Sequence, residues 1–182
     1  MGYPLYVGFP EQMKKMTDEY FMEKALAQAE KAFLAGEFPV GCVIADKKNI
    51  LATGFRHGTS GQYSNEIDHA EIVALRALSE NKAVDNANEL TLYCTMEPCL
   101  MCFGAILISG IHRIVYAYED VMGGGTGCDL SGLPKLYKNA NIIIVPHVLR
   151  RQSLELFKTF FAKPDNDYWE NSLLAEYTLA QE

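Results

Sequence analysis

Apolar residues recur along this chain at two different spacings, and the changes of spacing mark its elements. Phe21, Met22, Ala25, Leu26, Ala29 and Phe33 fall at helical spacing over residues 17–36, with Thr17 placed to cap the start and Gly36 to end it. "VGCVIAD" (40–46) and "ILATGFR" (50–56) read as two strands joined across "KKN" in an antiparallel hairpin. The polar stretch "GTSGQYSNEID" follows as a loop. A helix then starts near His69 and runs through "AEIVALRALS", with Ile72, Leu75 and Leu78 turned inward.

"LTLYCT" (90–95) and "RIVYAY" (113–118) predict further strands, and between them "CLMCFGAILIS" (99–109) is a helix apolar enough to be buried. "NIIIVP" (141–146) has the unbroken apolar run of a strand covered on both faces. The intervening "EDVMGGGTGCDLSGLPKLY" is a long glycine-rich segment, and segments of that length are often functional. A helix spans 150–162, Pro164 breaks it, and "DYWENSLLAEYTLA" makes a last one. Strands alternating with helices predict a three-layer α/β sheet. With 182 residues and no internal repeat or linker, one domain is expected over 1–182, with an N-terminal tail to about residue 16.

Totals narrow the classes. No apolar run reaches the roughly 20 residues that span a bilayer. "MGYPLYVGFPEQMKKM" lacks the charged-then-apolar order of a secretory signal, so a cytoplasmic protein is expected. Five cysteines, an odd number, point to a reducing compartment with free or metal-bound thiols. A formal charge of −7 argues against nucleic acid as the main partner, because phosphate binding rests on Lys and Arg.

The chemistry centres on "TMEPCLMC" (95–102) and "HAE" (69–71). A redox pair at Cys99 and Cys102 would need no matched histidine, and a structural zinc site would need a second ligand pair, which the chain lacks. Cys42, Cys94 and Cys128 read as small apolar fillers. A catalytic metal fits best. Cys99 and Cys102 share one helix face at i and i+3, Pro98 suits the first turn, and the helix N-terminus favours thiolates. His69 opens the other helix and supplies a third ligand, leaving tetrahedral Zn²⁺ one position for water, whose pKa it lowers to about 7. Glu71 is placed to carry that water's proton to the leaving group.

The pattern H-x-E followed by P-C-x-x-C is the zinc-deaminase signature. With "EYFMEKALAQAEKAFLAGEFPVGCVI", "HAEIVALRAL" and "LYCTMEPCLMCFGAILISGIHRIVYA", the chain resembles the cytidine/deoxycytidylate deaminase superfamily over about residues 18–160. Within it the pattern is closest to tRNA adenosine deaminases and to guanine and fungal cytosine deaminases. The resemblance implies a cytidine-deaminase-like α/β/α fold with a five-stranded mixed sheet, hydrolytic loss of ammonia from a base, one Zn²⁺ per chain and a homodimer. It assigns His69, Cys99 and Cys102 to the metal and Glu71 to proton transfer. It also puts Ala70, Phe38, Val40 and Asp120 near the base.

Three departures bear on substrate. Arg56 stands where many relatives carry a base-binding Asn; Asn donates and accepts, whereas Arg only donates. "GGGTGC" replaces a Gly-Ser ending usual in the tRNA enzymes. The tail "PDNDYWENSLLAEYTLAQE" is acidic and aromatic rather than basic, and Tyr168 and Trp169 within it are candidates for a lid. The expected substrate is therefore a small base, nucleoside or nucleotide, with tRNA wobble adenosine as the alternative and no membrane partner.

Overall fold

The computed structural model describes residues 16–60, 65–81 and 86–182; the tail expected over 1–16 lies outside them except for Met16. Helix α1 (Asp18–Leu34) starts where Thr17 accepts a hydrogen bond from the Tyr20 amide, and Gly36 (φ 80°) turns the chain out of it. Strands β1 (Gly41–Ala45) and β2 (Ile50–Phe55) form the expected antiparallel hairpin. Helix α2 (Ala70–Glu80), β3 (Thr91–Met96), α3 (Leu100–Ile108) and β4 (Arg113–Tyr118) follow. The short α4 (Lys135–Lys138), β5 (Ile143–Val145), α5 (Arg150–Phe161) and α6 (Leu173–Ala180) complete the chain.

The five strands form one mixed sheet in the order β2-β1-β3-β4-β5, antiparallel up to β3 and parallel beyond it. Alternation divides its core. Cys42, Ile44, Leu92 and Cys94 face α2 and α3, while Val43, Ala45, Tyr93, Val115 and Ala117 face Phe21, Met22 and Ala25 of α1. Helix α5 packs on β4 and against α1, and its Phe157 and Phe160 reach Phe38. No helix among the described residues is long and apolar enough to cross a membrane.

Four expectations are corrected. The inner face of α2 is Ala70, Glu71, Ala74 and Leu78, with Ile72 and Leu75 only half-buried. Ala70 and Ala74 are small because their turns of α2 press directly on β2 at Gly54. β5 is an edge strand with Ile143 56% exposed, so an apolar run here signals an uncovered sheet edge. α3 buries Cys102, Phe103 and Ile106 but leaves Leu100 and Ile108 exposed, so it is a surface helix with an apolar outer face. The last helix begins at Leu173, because residues 167–171 form turns with Trp169 (φ 54°) and Asn171 (φ 57°) in the left-handed region.

Gly54 sets the spacing that positions α2. A Cβ there would lie 2.2 Å from the Ala70 carbonyl oxygen and 2.7 Å from the Ala74 amide nitrogen, both backbone atoms that cannot step aside. Gly54→Ala is expected to cost about 3 kcal/mol of stability in urea unfolding. Because the displaced helix carries His69, the variant should also purify with less zinc per chain.

Candidate active site

His69 and Cys99 are the N-cap residues of α2 and α3, both with extended backbone and neither spending its side chain on a capping hydrogen bond. Both side chains are therefore free to point across the gap between the two helix starts. His69 Nδ1 lies 3.6 Å from Cys99 Sγ and 3.5 Å from Cys102 Sγ. The three ligand atoms all fall within 4.8 Å of one another, as a tetrahedral metal requires. Pro98 sits one residue before the N-cap rather than in the first helical turn, and its carbonyl accepts the Gly125 amide at 2.9 Å.

The donor set is right for zinc, and a second observation agrees. Glu71 is 3% exposed, and its Oε2 has no hydrogen-bond partner in the protein. A buried acceptor left bare is costly, so this one calls for a donor inside the cavity such as water. Burial pushes the Glu71 carboxyl up. A hydrogen bond from Cys102, together with His69, draws the Cys99 thiol down to about 4, while the same pairing pushes Cys102 up.

The glycine-rich segment folds against this loop. Glu97 Oε1 accepts from the Thr126 amide at 3.2 Å and Oε2 from the Asp120 amide at 3.3 Å. Gly124 pairs with Cys99, and a Cβ at Gly125 would come within 2.7 Å of the Leu100 backbone. Contact with the 97–100 turn thus explains Gly124 and Gly125.

A cavity of about 70 Å³ opens beside His69 and Cys99. Every residue expected near the base lines it: Phe38, Val40, Arg56, Ala70, Asp120 and Trp169, together with Glu71. Asp120 also closes a turn, its Oδ1 accepting the Met122 and Gly123 amides at 3.0 and 2.9 Å. Arg56 is buried, with Nη1 donating to the Asn65 carbonyl at 2.9 Å and Nη2 to Glu66 Oε2 at 2.6 Å.

Tyr168 and Trp169 stack at 5.2 Å and 11°, and both rings meet Phe38, at 5.4 and 5.8 Å. Their turn hangs between α5 and α6 and closes one side of the cavity. Met96, Glu97 and Gly123 also line it and were not singled out from sequence. Glu97 stands inside the metal motif and could have been; Glu66, in a polar loop, carries no signal.

One cysteine was misplaced. Cys42 and Cys94 are buried as expected, but Cys128 is exposed in the glycine-rich segment.

The family model described as "Cytidine and deoxycytidylate deaminase zinc-binding region" matches residues 15–118. The tRNA-specific adenosine deaminase of Haemophilus influenzae is 37% identical over 153 residues, 84% of this chain and 87% of that protein. That of Streptococcus pyogenes serotype M18 is 30% identical over 152 residues, 84% and 93%. Among known structures, one from a study of A-to-I editing by tRNA:A34 deaminases matches with TM-score 0.62 at 27% identity, over 75% of this chain and 98% of that one. The guanine deaminase from Nitrosomonas europaea shares the fold, with TM-score 0.65 at 20% identity over 88% and 97%. The chain belongs to the zinc-dependent cytidine and deoxycytidylate deaminase family, and is a hydrolase acting on C–N bonds of cyclic amidines.

Two measurements check the site. Cys99→Ala should lower zinc from about one ion per chain to near none, because two ligands do not hold it. In the native protein a thiol reagent should modify Cys128 first and leave zinc in place. A third concerns the cavity wall. Thr59 Oγ1 accepts the Phe38 amide at 2.7 Å, and Glu37 Oε2 in turn accepts the Thr59 amide. Burial works to raise the Glu37 carboxyl, but hydrogen bonds from Thr59 and Ser60 outweigh it and hold the group at about 2. A depressed carboxyl stabilises the fold above its unfolded pKa, and that contribution fades as pH falls toward the folded value. Glu37→Gln should therefore be less stable than the parent at pH 7, with the gap closing between about pH 4 and pH 2.

Proposed function

We propose that residues 1–182 act as one zinc-dependent deaminase domain whose substrate is the wobble adenosine of tRNA. The continuous similarity to tRNA-specific adenosine deaminases, 37% over 84% of the chain, carries that substrate assignment. It outweighs the expectation of a small substrate drawn from Arg56, the Gly-Cys ending, the acidic aromatic tail and the net charge, each of which is a local or bulk feature beside a similarity that runs along the chain.

His69, Cys99 and Cys102 would hold the zinc, which when bound supplies acidity to a water molecule. Glu71 does the proton work. Its bare Oε2 receives a proton from water and passes it to the ring nitrogen beside the amino-bearing carbon. A second proton transfer to the amino group lets it leave as ammonia, so one water enters and a ring carbonyl remains. Phe38, Val40 and Trp169 give the flat base apolar walls, and Ala70, at the start of α2, leaves room beside the ligands. The exposed apolar side chains of Leu100 and Ile108 on α3 and Leu136 on α4 suit a second copy of the chain.

A second reading, deamination of a small base or nucleoside, is favoured by the stacked Tyr168–Trp169 pair over the cavity. Purified protein distinguishes them: inosine in an anticodon stem-loop supports the first, and ammonia released only from free bases or nucleosides replaces it with the second. Glu71→Ala should retain zinc and lose turnover by about 10²- to 10⁴-fold. Near-normal turnover in that variant would remove Glu71 from the chemistry.

A further inference from the structure

Arg56 is the residue the reaction leaves unexplained. Its side chain is 2% exposed, while Glu66, the one carboxylate it pairs with, is 49% exposed. The two charges do not cancel equally inside the cavity. Water screens the half-exposed carboxylate, whereas the guanidinium sits where screening is weak. A buried cation in such a pair is costly unless further acceptors meet its remaining N–H groups.

Among the described residues Nη1 donates to the Asn65 carbonyl and Nη2 to Glu66, and the guanidinium also meets the Tyr168 hydroxyl. Those contacts also hold the planar fork still. The Arg56 amide is tied to the Val40 carbonyl at 2.9 Å, which fixes the side chain's root beside the apolar wall of Phe38 and Val40. Tyr168 shares the same anchor, its hydroxyl donating to Glu66 Oε2 at 3.1 Å. Wall, fork and roof thus meet at one carboxylate.

We propose that Arg56 is a specificity-determining residue that recognises an acceptor oxygen on the substrate. A guanidinium donates and never accepts, so a substrate edge presenting an oxygen is favoured and one presenting an N–H is repelled. The oxygen has two possible sources. It belongs to a ring carbonyl if the substrate is an oxo-base, and to a phosphate if the base arrives on a nucleotide or on RNA. The inference rests on the cavity being the substrate site, as the proposed function does, but not on which molecule carries the base.

The test uses binding of molecules without an amino group, which the enzyme cannot deaminate. Zinc-loaded protein is titrated calorimetrically with purine against hypoxanthine, pyrimidine against 2-pyrimidinone, and inosine against inosine monophosphate. At least one oxygen-bearing partner should bind about tenfold to a hundredfold more tightly, and Arg56→Ala should erase that preference. The first two pairs report a ring carbonyl and the third a phosphate. Arg56→Met, which keeps most of the side chain's length, replaces the alanine variant if that does not fold.

Glu66→Gln separates recognition from support. It removes the counter-charge but leaves the fork, so the preference should persist or grow. If it instead vanishes as in Arg56→Ala, Arg56 merely braces the 65–66 loop and the proposal fails. Ratios near one in the parent protein, or unchanged in Arg56→Ala, overturn it equally. Ammonia release is measured alongside. A protein that shows the oxygen preference but deaminates nothing refutes the function and spares Arg56. One that deaminates without the preference does the reverse.

Discussion

The convergence of two helix N-termini on one point is the constraint from which the rest of this molecule follows. α2 brings His69 and α3 brings Cys99 and Cys102, and neither helix could do so from an isolated hairpin. They meet because the sheet sets β1 between β2 and β3, so that the helices attached to those strands lie side by side on one face. The contact between α2 and β2 is so tight that only glycine is tolerated at position 54. The N-cap positions matter as much as the spacing. An imidazole or thiol engaged in capping its own helix would not be free to turn toward the other.

That geometry also accounts for the odd electrostatics of the cavity. A carboxylate is buried with one oxygen unpaired, and a guanidinium is buried against a solvent-screened partner elsewhere in the wall. Neither arrangement stabilises the folded chain. The unpaired Glu71 oxygen makes sense as a group whose partner arrives with metal and water, because folded proteins keep at their sites the polar groups that the fold alone does not satisfy.

Much of this was readable in advance, for physical reasons. Strand and helix periods located every principal element, and the HAE and PCLMC stretches hold the three side chains that the fold brings together, because candidate metal ligands are chemically distinctive and closely spaced. What escaped depended on tertiary distance. The inner face of α2 could not be seen because small Ala70 and Ala74 are inside and larger Ile72 and Leu75 lie toward the rim. Apolarity suggested burial for β5 and α3, yet it marks uncovered surface there. The left-handed backbone at Trp169 ended a helix that composition alone would have extended. The Glu66 contact joins residues 102 positions apart and leaves no local trace.

The aromatic turn over the cavity comes from the C-terminal part of the chain, while the candidate zinc ligands and Glu71 all come from the central elements. It is suspended between α5 and α6, which are secured separately, the latter by Tyr177 on Glu119 and Thr178 on Tyr118. A change within residues 167–171 would therefore be felt first by Phe38 and Glu66, which the turn touches. The roof of the cavity is thus carried on a different stretch of chain from its floor, and the Tyr168 bond to Glu66 is what laces the two together.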